Sequence, residues 1–247
     1  MKLIKFITVL VSFGLSFSSV ANEHLTHKGW NTLLNKHVDE AGNVDYKGFK
    51  SEEKALNEYL TVLSKNHPDN SWKRNDRLAF WINAYNAFTV KLIVKNYPVK
   101  SIKDLGGSIY KVNTPWDIKF IKIGEEVYDL NNIEHGMIRK EFSDPRIHFA
   151  VNCASVSCPK LRNEAYVGTT IEQQLEDQAK YFINNKVKNQ IKSTKKAKLS
   201  KIFRWYKGDF TSSGMSIVEY INQYADVKLE ADAKIEFLDY DWDLNGK

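Results

Sequence analysis

One segment constrains the fold more than any other, because it predicts a long helix with almost no polar face. Residues 76–97 read DRLAFWINAYNAFTVKLIVKNY. At 3.6 residues per turn its apolar side chains cover nearly the whole helix surface, and a helix of this kind is buried. The sequence therefore predicts a helix from Asp76 to Tyr97 at the centre of the core, with the other elements packed around it.

Two amides, Asn83 and Asn86, lie one turn apart on this helix. A buried amide without a hydrogen-bond partner costs about 1–3 kcal/mol, so each must meet something polar. The partner is either the backbone of a neighbouring loop or a functional group, such as a catalytic imidazole or a substrate. The sequence leaves both alternatives open.

The N-terminus has the pattern of a cleaved secretory signal. Lys2 and Lys5 precede an uncharged apolar run from Phe6 to about Phe17, and Ser19-Val20-Ala21 stands before Asn22. We expect residues 1–21 to be removed and the protein to act in the periplasm or outside the cell. No later stretch approaches the roughly 18 apolar residues of a membrane-spanning helix.

Charge and length point to a single globular domain, residues 22–247. The chain has 36 basic and 30 acidic groups, and loss of two lysines with the signal leaves a mild excess of four positive charges. This balance does not imply nucleic acid binding. Neither repeats nor a Gly/Ser/Pro-rich linker divides the chain. Two cysteines are too few for a disulfide scaffold, so the core must carry the stability.

Helices and strands are interspersed along the chain without regular β-α-β units. Helical spacing predicts helices after Thr26, from Ser51 to about Lys65, after Asn131, after Thr170 and after Ser216; alternation predicts hairpins within 118–128 and 187–201 and a closing strand, Ile235–Trp242. The predicted fold is α+β: one mixed domain with the long buried helix packed against a mostly antiparallel sheet.

Chemistry is most concentrated in residues 144–162, DPRIHFAVNCASVSCPKLR, which contain both cysteines. The alternation of Ile147, Phe149 and Val151 predicts a buried strand, Arg146–Asn152, that opens into a loop at Cys153. Strand ends often carry functional residues. Candidate substrate-binding residues on this stretch are Arg146, His148, Asn152 and Ser155.

A cysteine nucleophile needs a base or cation beside it. His148 lies five residues before Cys153, which in a strand means about 16 Å of separation and opposite faces. His135 lies on a different element and could be brought to Cys153 by the turn at Asp144-Pro145. Glu134, Asn83 or Asn86 could then orient the imidazole, as the third member of a triad does.

Two alternatives compete with the Cys153 nucleophile. A disulfide between Cys153 and Cys158 is favoured outside the cytosol, and the four-residue spacer permits it if the loop bends. A metal site would use both cysteines with His135 or His148, but the spacing matches no common ligand pattern.

Several segments resemble a known family, the domain of unknown function 547 (DUF547), which occurs in exported bacterial proteins and in plants. The matching segments are WNTLLNKHVDEAGNVDY, FWINAYNAF, YDLNNIEHGMIRK, DPRIHFAVNCASVSCPKLRNEAY and LSKIFRWYKGDF. The resemblance implies one domain and carries no reaction with it.

The functional expectation is a cofactor-free, cysteine-dependent hydrolase or acyl transferase acting on an amide or thioester in the cell envelope. The alternative is a non-catalytic envelope binding module with structural cysteines. Its binding surface would be the basic stretch Lys186–Lys201, which lies in a span of ten basic residues and no acid, residues 179–208. Such a run is usually a solvated face, and contact with an anionic surface is the other interpretation.

Overall fold

The computed structural model describes residues 25–105 and 114–246. The predicted signal peptide lies outside this range. The N-terminal part of the described chain contains the helices α1 (Lys28–His37), α2 (Tyr46–Ser51), α3 (Glu53–Lys65) and α4 (Arg74–Asn96).

Helix α4 is the predicted central helix, and its start and end lie within two residues of the prediction. Side chains on all of its faces are buried from Leu78 to Val90. It packs against α2, α3 and a π-helix, Asn132–Arg139. An antiparallel hairpin, β1 (Ile121–Ile123) and β2 (Glu126–Tyr128), also contacts it, with the Trp81 and Tyr128 rings 5.6 Å apart. A helix apolar on every face therefore has partners on every face.

The predicted strand Arg146–Asn152 is wrong. Residues Pro145–Phe149 form a 3-10 helix, and an irregular loop follows. Asp144 caps the helix, since its Oδ1 accepts a hydrogen bond of 2.9 Å from the Arg146 amide, and Pro145 suits the first helical position. Ile147 and Phe149 are both buried because they enter two different apolar clusters. Burial on two sides produced the alternation that predicted a strand.

The C-terminal half contains the second sheet. The helices and strands of this half are α5 (Lys140–Phe142), α6 (Ile171–Asn184), β3 (Gln190–Ser193), β4 (Lys196–Leu199), α7 (Ile202–Trp205), α8 (Lys207–Phe210), α9 (Ile217–Tyr224) and β5 (Lys234–Phe237). Strands β3 and β4 form the predicted antiparallel hairpin, and β5 adds to β4 in parallel. The fold is α+β, as predicted. The closing strand is shorter than predicted and ends at Phe237.

Helix α6 joins the two apolar clusters. Ile171 and Leu175 belong to the cluster around α4, whereas Ala179, Phe182 and Ile183 belong to the cluster under the second sheet. In residues 25–105 and 114–246, no helix has both the length and the apolar character needed to cross a bilayer.

The last described residues, 238–246, form a C-terminal segment that crosses the cysteine stretch. The amides of Val156 and Ser157 donate to the carbonyls of Asp243 (2.8 Å) and Asp241 (3.1 Å). Asn245 reaches the N-terminal helices, because its carbonyl accepts from the Val44 amide at 3.0 Å. The segment therefore connects the turn between α1 and α2 to the loop that carries the cysteines.

Candidate functional site

Both cysteines line a pocket of about 280 Å³. Its polar and ionisable wall includes Glu134 and His135 from the π-helix and His148 from the 3-10 helix. The aromatic wall consists of Tyr85, Trp116, Trp205, Tyr206, Tyr240 and Trp242. Elements far apart in sequence thus meet at Cys153 and Cys158.

The cysteine loop, residues 150–159, is held in place by two asparagines. Asn86 on α4 donates to the Ala150 carbonyl at 2.9 Å and accepts from the Asn152 amide at 2.8 Å. Asn152 in turn donates to the Pro159 carbonyl at 2.7 Å and accepts from the amide of Ala154 at 2.9 Å. Ala154 needs this support because its φ of +59° lies in the left-handed region.

Asn83 performs the same task for another loop, where it exchanges two hydrogen bonds with the backbone of Tyr166, at 2.8 and 3.0 Å. These bonds use both ends of the Asn83 and Asn86 amides. Of the two sequence-based alternatives, the geometry therefore corresponds to backbone binding. Asn83 and Asn86 lie behind the pocket wall and act as positioning residues.

Cys153 and Cys158 are free thiols in this structure, with their sulfur atoms 2.7 Å apart. The Cys153 amide donates to the Cys158 sulfur at 2.8 Å. Ser155 Oγ lies 3.3 Å and the Tyr240 hydroxyl 3.4 Å from the Cys153 sulfur. The disulfide and the nucleophile therefore both remain predictions that depend on the redox state.

The two thiols have opposite pKa shifts. Burial favours the neutral form of Cys153, but hydrogen bonds from Cys158, Ser155 and Tyr240 outweigh it and lower the pKa of Cys153. Burial and the neighbouring Cys153 raise the pKa of Cys158 well above its usual value. Cys153 consequently ionises first, while Cys158 stays protonated and can donate to the thiolate.

His148 is buried and bound to a carboxylate that the sequence did not single out. Its Nε2 lies 2.7 Å from Asp209 Oδ2, and its ring stacks on Tyr206 at 3.8 Å. Asp209 also receives two hydrogen bonds from Arg139, at 2.7 and 2.8 Å. Hydrogen bonds from His148 and Arg139 hold the pKa of Asp209 well below its usual range.

This arrangement fixes the tautomer of His148. A carboxylate only accepts hydrogen bonds, so Nε2 carries the proton and Nδ1 is left as the acceptor. Among the described residues, buried Nδ1 has no hydrogen-bond partner. Burial lowers the pKa of His148, against the opposing effect of Asp209, so the ring is neutral near pH 7. A neutral imidazole with a free acceptor is suited to take up a proton.

His135 is placed differently. It is exposed, and its Nδ1 lies 3.0 Å from Arg139 Nη1. Because a guanidinium can only donate, Nδ1 is already used as an acceptor. Glu134 does not hold this ring; its Oε1 accepts a 2.6 Å hydrogen bond from the Tyr206 hydroxyl. His135 shares the pocket with Cys153, but its Nδ1 is already bonded to Arg139.

The other predicted residues are distributed as follows. Ser155 lies beside the Cys153 sulfur, and Asn152 is buried within the loop. Arg146 lies outside the pocket lining, where it binds Asp144 at 2.7 Å and Glu172 at 2.6 Å. In the part of the chain that the structure describes, no group of three or more His, Cys, Asp or Glu side chains is placed to hold a metal.

The central part of the chain, which supplies α4, the π-helix and the cysteine loop, also has a family match. Residues 70–183 match the DUF547 family. This family is described as a protein of unknown function, and the resemblance predicted from the sequence is confirmed over this range. No curated protein and no solved structure gives a match. The DUF547 match includes His148 and both cysteines, whereas Tyr206, Asp209 and Tyr240 lie beyond its end.

Sequence reasoning missed Tyr206, Asp209 and Arg139. Asp209 is the first acid after the basic span 179–208, within the segment LSKIFRWYKGDF that contributed to the resemblance. The segment is amphipathic and basic, so its one carboxylate does not stand out as a candidate site residue. The predicted strand would separate His148 from Cys153 and so excludes it as the base for that cysteine. A 3-10 helix rises only about 2 Å per residue, so that argument no longer holds.

Proposed function

We propose that this protein is an exported, cysteine-dependent hydrolase or acyl transferase acting on an amide or thioester. Cys153 is the nucleophile, His148 the general base and Asp209 the residue that orients the imidazole. One observation carries the proposal: a neutral, carboxylate-bound His148 with an unpartnered Nδ1 lines the same pocket as a cysteine with a lowered pKa.

The reaction follows from the roles of these groups. His148 Nδ1 takes the thiol proton, and the Cys153 sulfur forms a bond to the carbonyl carbon of the substrate. The tetrahedral intermediate collapses as the carbon–nitrogen or carbon–sulfur bond breaks, and the leaving group receives the proton from His148. Water, or a second acceptor, then attacks the thioester and restores the thiol.

Tyr85 is the proposed donor to the negative charge on the intermediate. Its hydroxyl makes no hydrogen bond to any described residue, and the side chain lines the pocket. Burial and the neighbouring Glu134 and cysteines raise the pKa of Tyr85 well above its usual value. The hydroxyl therefore keeps its proton and can donate to an oxyanion.

The location in the cell envelope is part of the proposal and depends on residues 1–21. The experiment accordingly begins with product isolated from the envelope fraction, whose intact mass should correspond to a start near Asn22. Maleimide labelling under non-reducing, denaturing conditions should then find two free thiols. A fully oxidised pair that reduction does not convert into a reactive thiol would contradict the proposal.

Native alkylation tests the roles of the two histidines. Neutral iodoacetamide should modify Cys153 faster than Cys158 near pH 7, as followed by mass spectrometry. His148→Asn should slow Cys153 by about tenfold or more, because the base is lost. His135→Ala is the matched control from the same pocket and should leave the rate nearly unchanged. A loss confined to His135→Ala would assign the base to His135, and equal rates at both cysteines in all variants would end the catalytic proposal.

A further inference from the structure

The charge of the pocket differs from that of the chain. The whole sequence has an excess of basic groups, 36 against 30 acidic ones. Among the described residues that line the pocket, however, there is no lysine or arginine, and Glu134 is the only Asp or Glu. With Cys153 ionised, the pocket gains a second negative charge. A cationic ligand would meet attraction and no like-charged side chain in the lining.

The Glu134 carboxylate is itself only half satisfied. It is 5% exposed. Oε1 accepts from the Tyr206 hydroxyl. The other oxygen makes no hydrogen bond to a described residue and is not among the buried atoms that lack a partner, so it is accessible to a ligand. The guanidinium of Arg139 is already bound by Asp209 through two hydrogen bonds. Burying a carboxylate is costly unless a donor or cation compensates, so Glu134 has capacity for a further donor.

Aromatic rings line the same pocket as Glu134. The Tyr240 and Trp242 ring centroids are 4.5 Å apart, and Trp205 stacks near Trp242 at 6.0 Å. Trp205 is 48% exposed. Ring faces attract cations, and Lys103 Nζ already lies 5.1 Å from the centroid of Trp242. Aromatic faces and a carboxylate in one pocket are typical of sites for ammonium and guanidinium groups.

We propose that the pocket selects amide or thioester substrates that carry an ammonium or guanidinium group, with Glu134 as its counter-ion and Trp205 and Trp242 as its aromatic wall. This inference rests on the proposed function, because it assigns the charge of the substrate that Cys153 attacks. A neutral or anionic substrate would supply no counter-charge to Glu134.

The experiment uses three iodoacetamides that differ in charge. One is unsubstituted, one carries a 2-aminoethyl group and one carries a carboxymethyl group, so they are neutral, cationic and anionic. Alkylation rates at Cys153 are measured by mass spectrometry on the folded protein, and the urea-unfolded chain provides the reference. The cationic-to-anionic rate ratio of the folded protein should exceed that of the unfolded chain by about tenfold or more, as expected for a partly buried charge pair.

Glu134→Gln should reduce this ratio towards the reference, because the counter-ion of the cationic reagent is lost. Glu58→Gln is the matched control, since Glu58 is an exposed glutamate on α3 outside the pocket. It should leave the ratio unchanged. An unchanged ratio in Glu134→Gln would overturn the inference and leave the proposed function intact. Loss of the Cys153 preference with the neutral reagent in the wild type would instead contradict the proposed function.

A second measurement does not depend on the folding of the Glu134 variant. Millimolar butylammonium should protect wild-type Cys153 from neutral iodoacetamide, and butyrate at the same concentration should not. The protection should weaken as salt is added, because the attraction is electrostatic. Equal protection by the two ions, or none by butylammonium, would contradict a cation site.

Discussion

At the scale of single residues, Asn83 and Asn86 show how a buried helix can position neighbouring loops. Both were singled out in the sequence because a buried amide needs a partner, and both have one. Their partners could not be identified from sequence, since a backbone carbonyl leaves no trace in residue type. His148 shows the opposite limit. Its residue type indicated chemistry, but its role depended on Asp209, 61 positions further along the chain.

The two asparagines provide a matched pair of mutants. Asn86→Leu removes the bonds to Ala150 and Asn152 and leaves a buried carbonyl and amide unpaired, so the free energy of unfolding should fall by about 1–3 kcal/mol. Asn83→Leu does the same at Tyr166 and should cost a similar amount. Urea melts measure both. Only Asn86 supports the cysteine loop, so only Asn86→Leu should also reduce the preference of iodoacetamide for Cys153.

The contrast between the two variants decides this prediction. If Asn86→Leu is as stable as the wild type, the amide is not a buried hydrogen-bonding group. If both variants change Cys153 reactivity equally, the effect comes from general loosening of the core and not from the loop that Asn86 holds.

At the scale of elements, periodicity was sufficient for regular helices and for hairpins. Helix α4, the β1–β2 and β3–β4 hairpins and helix α9 after Ser216 all lie where the pattern placed them. The pattern failed for Arg146–Asn152, where a 3-10 segment between two apolar clusters imitates alternation. It also failed beyond Phe237, where the chain leaves the sheet but still bonds to the cysteine loop.

The basic hairpin allows a prediction at this scale. Lys195 is 77% exposed, and its contact with Glu230 is long, at 3.7 Å; Lys196 meets Glu236 at 3.3 Å. Exposed ion pairs contribute little, so replacing both lysines with Ser should change the unfolding free energy by no more than about 0.5 kcal/mol. Chemical denaturation is the measurement.

Lys188 is the control from the same basic span. It is half-buried and donates to the carbonyl of Val156 in the cysteine loop. Burial lowers the pKa of Lys188. Lys188→Ser should cost about 1–3 kcal/mol, more than the double variant. Loss of binding to anionic vesicles at low salt by the stable Lys195/Lys196 variant would favour the non-catalytic binding module.

At the scale of the whole molecule, the pocket includes residues that lie outside the part of the chain matched to the family. Residues 70–183 supply the cysteines and His148, but Asp209 and much of the aromatic wall come from the last third of the chain. Helix α6 joins the two apolar clusters across the end of the match. Helix α6 therefore connects the matched part of the chain to the cluster under the second sheet, and the single domain expected from the sequence stays a prediction.

Removing the C-terminal segment tests whether the site depends on the whole chain. A protein ending at Phe237 keeps α4 and β5 but loses Tyr240, Trp242 and the bonds from Asp241, Asp243 and Asn245 to the cysteine loop. Circular dichroism should still report helix, because α4 is buried among elements that remain. The pKa of Cys153 should rise, since the Tyr240 hydroxyl no longer stabilises the thiolate, and the iodoacetamide rates of the two cysteines should converge.

Tyr240→Phe is the conservative control and should retain most of the stability with a smaller rise in the pKa of Cys153. A truncated protein that preserves the full reactivity difference would show that the site does not need the residues after Phe237.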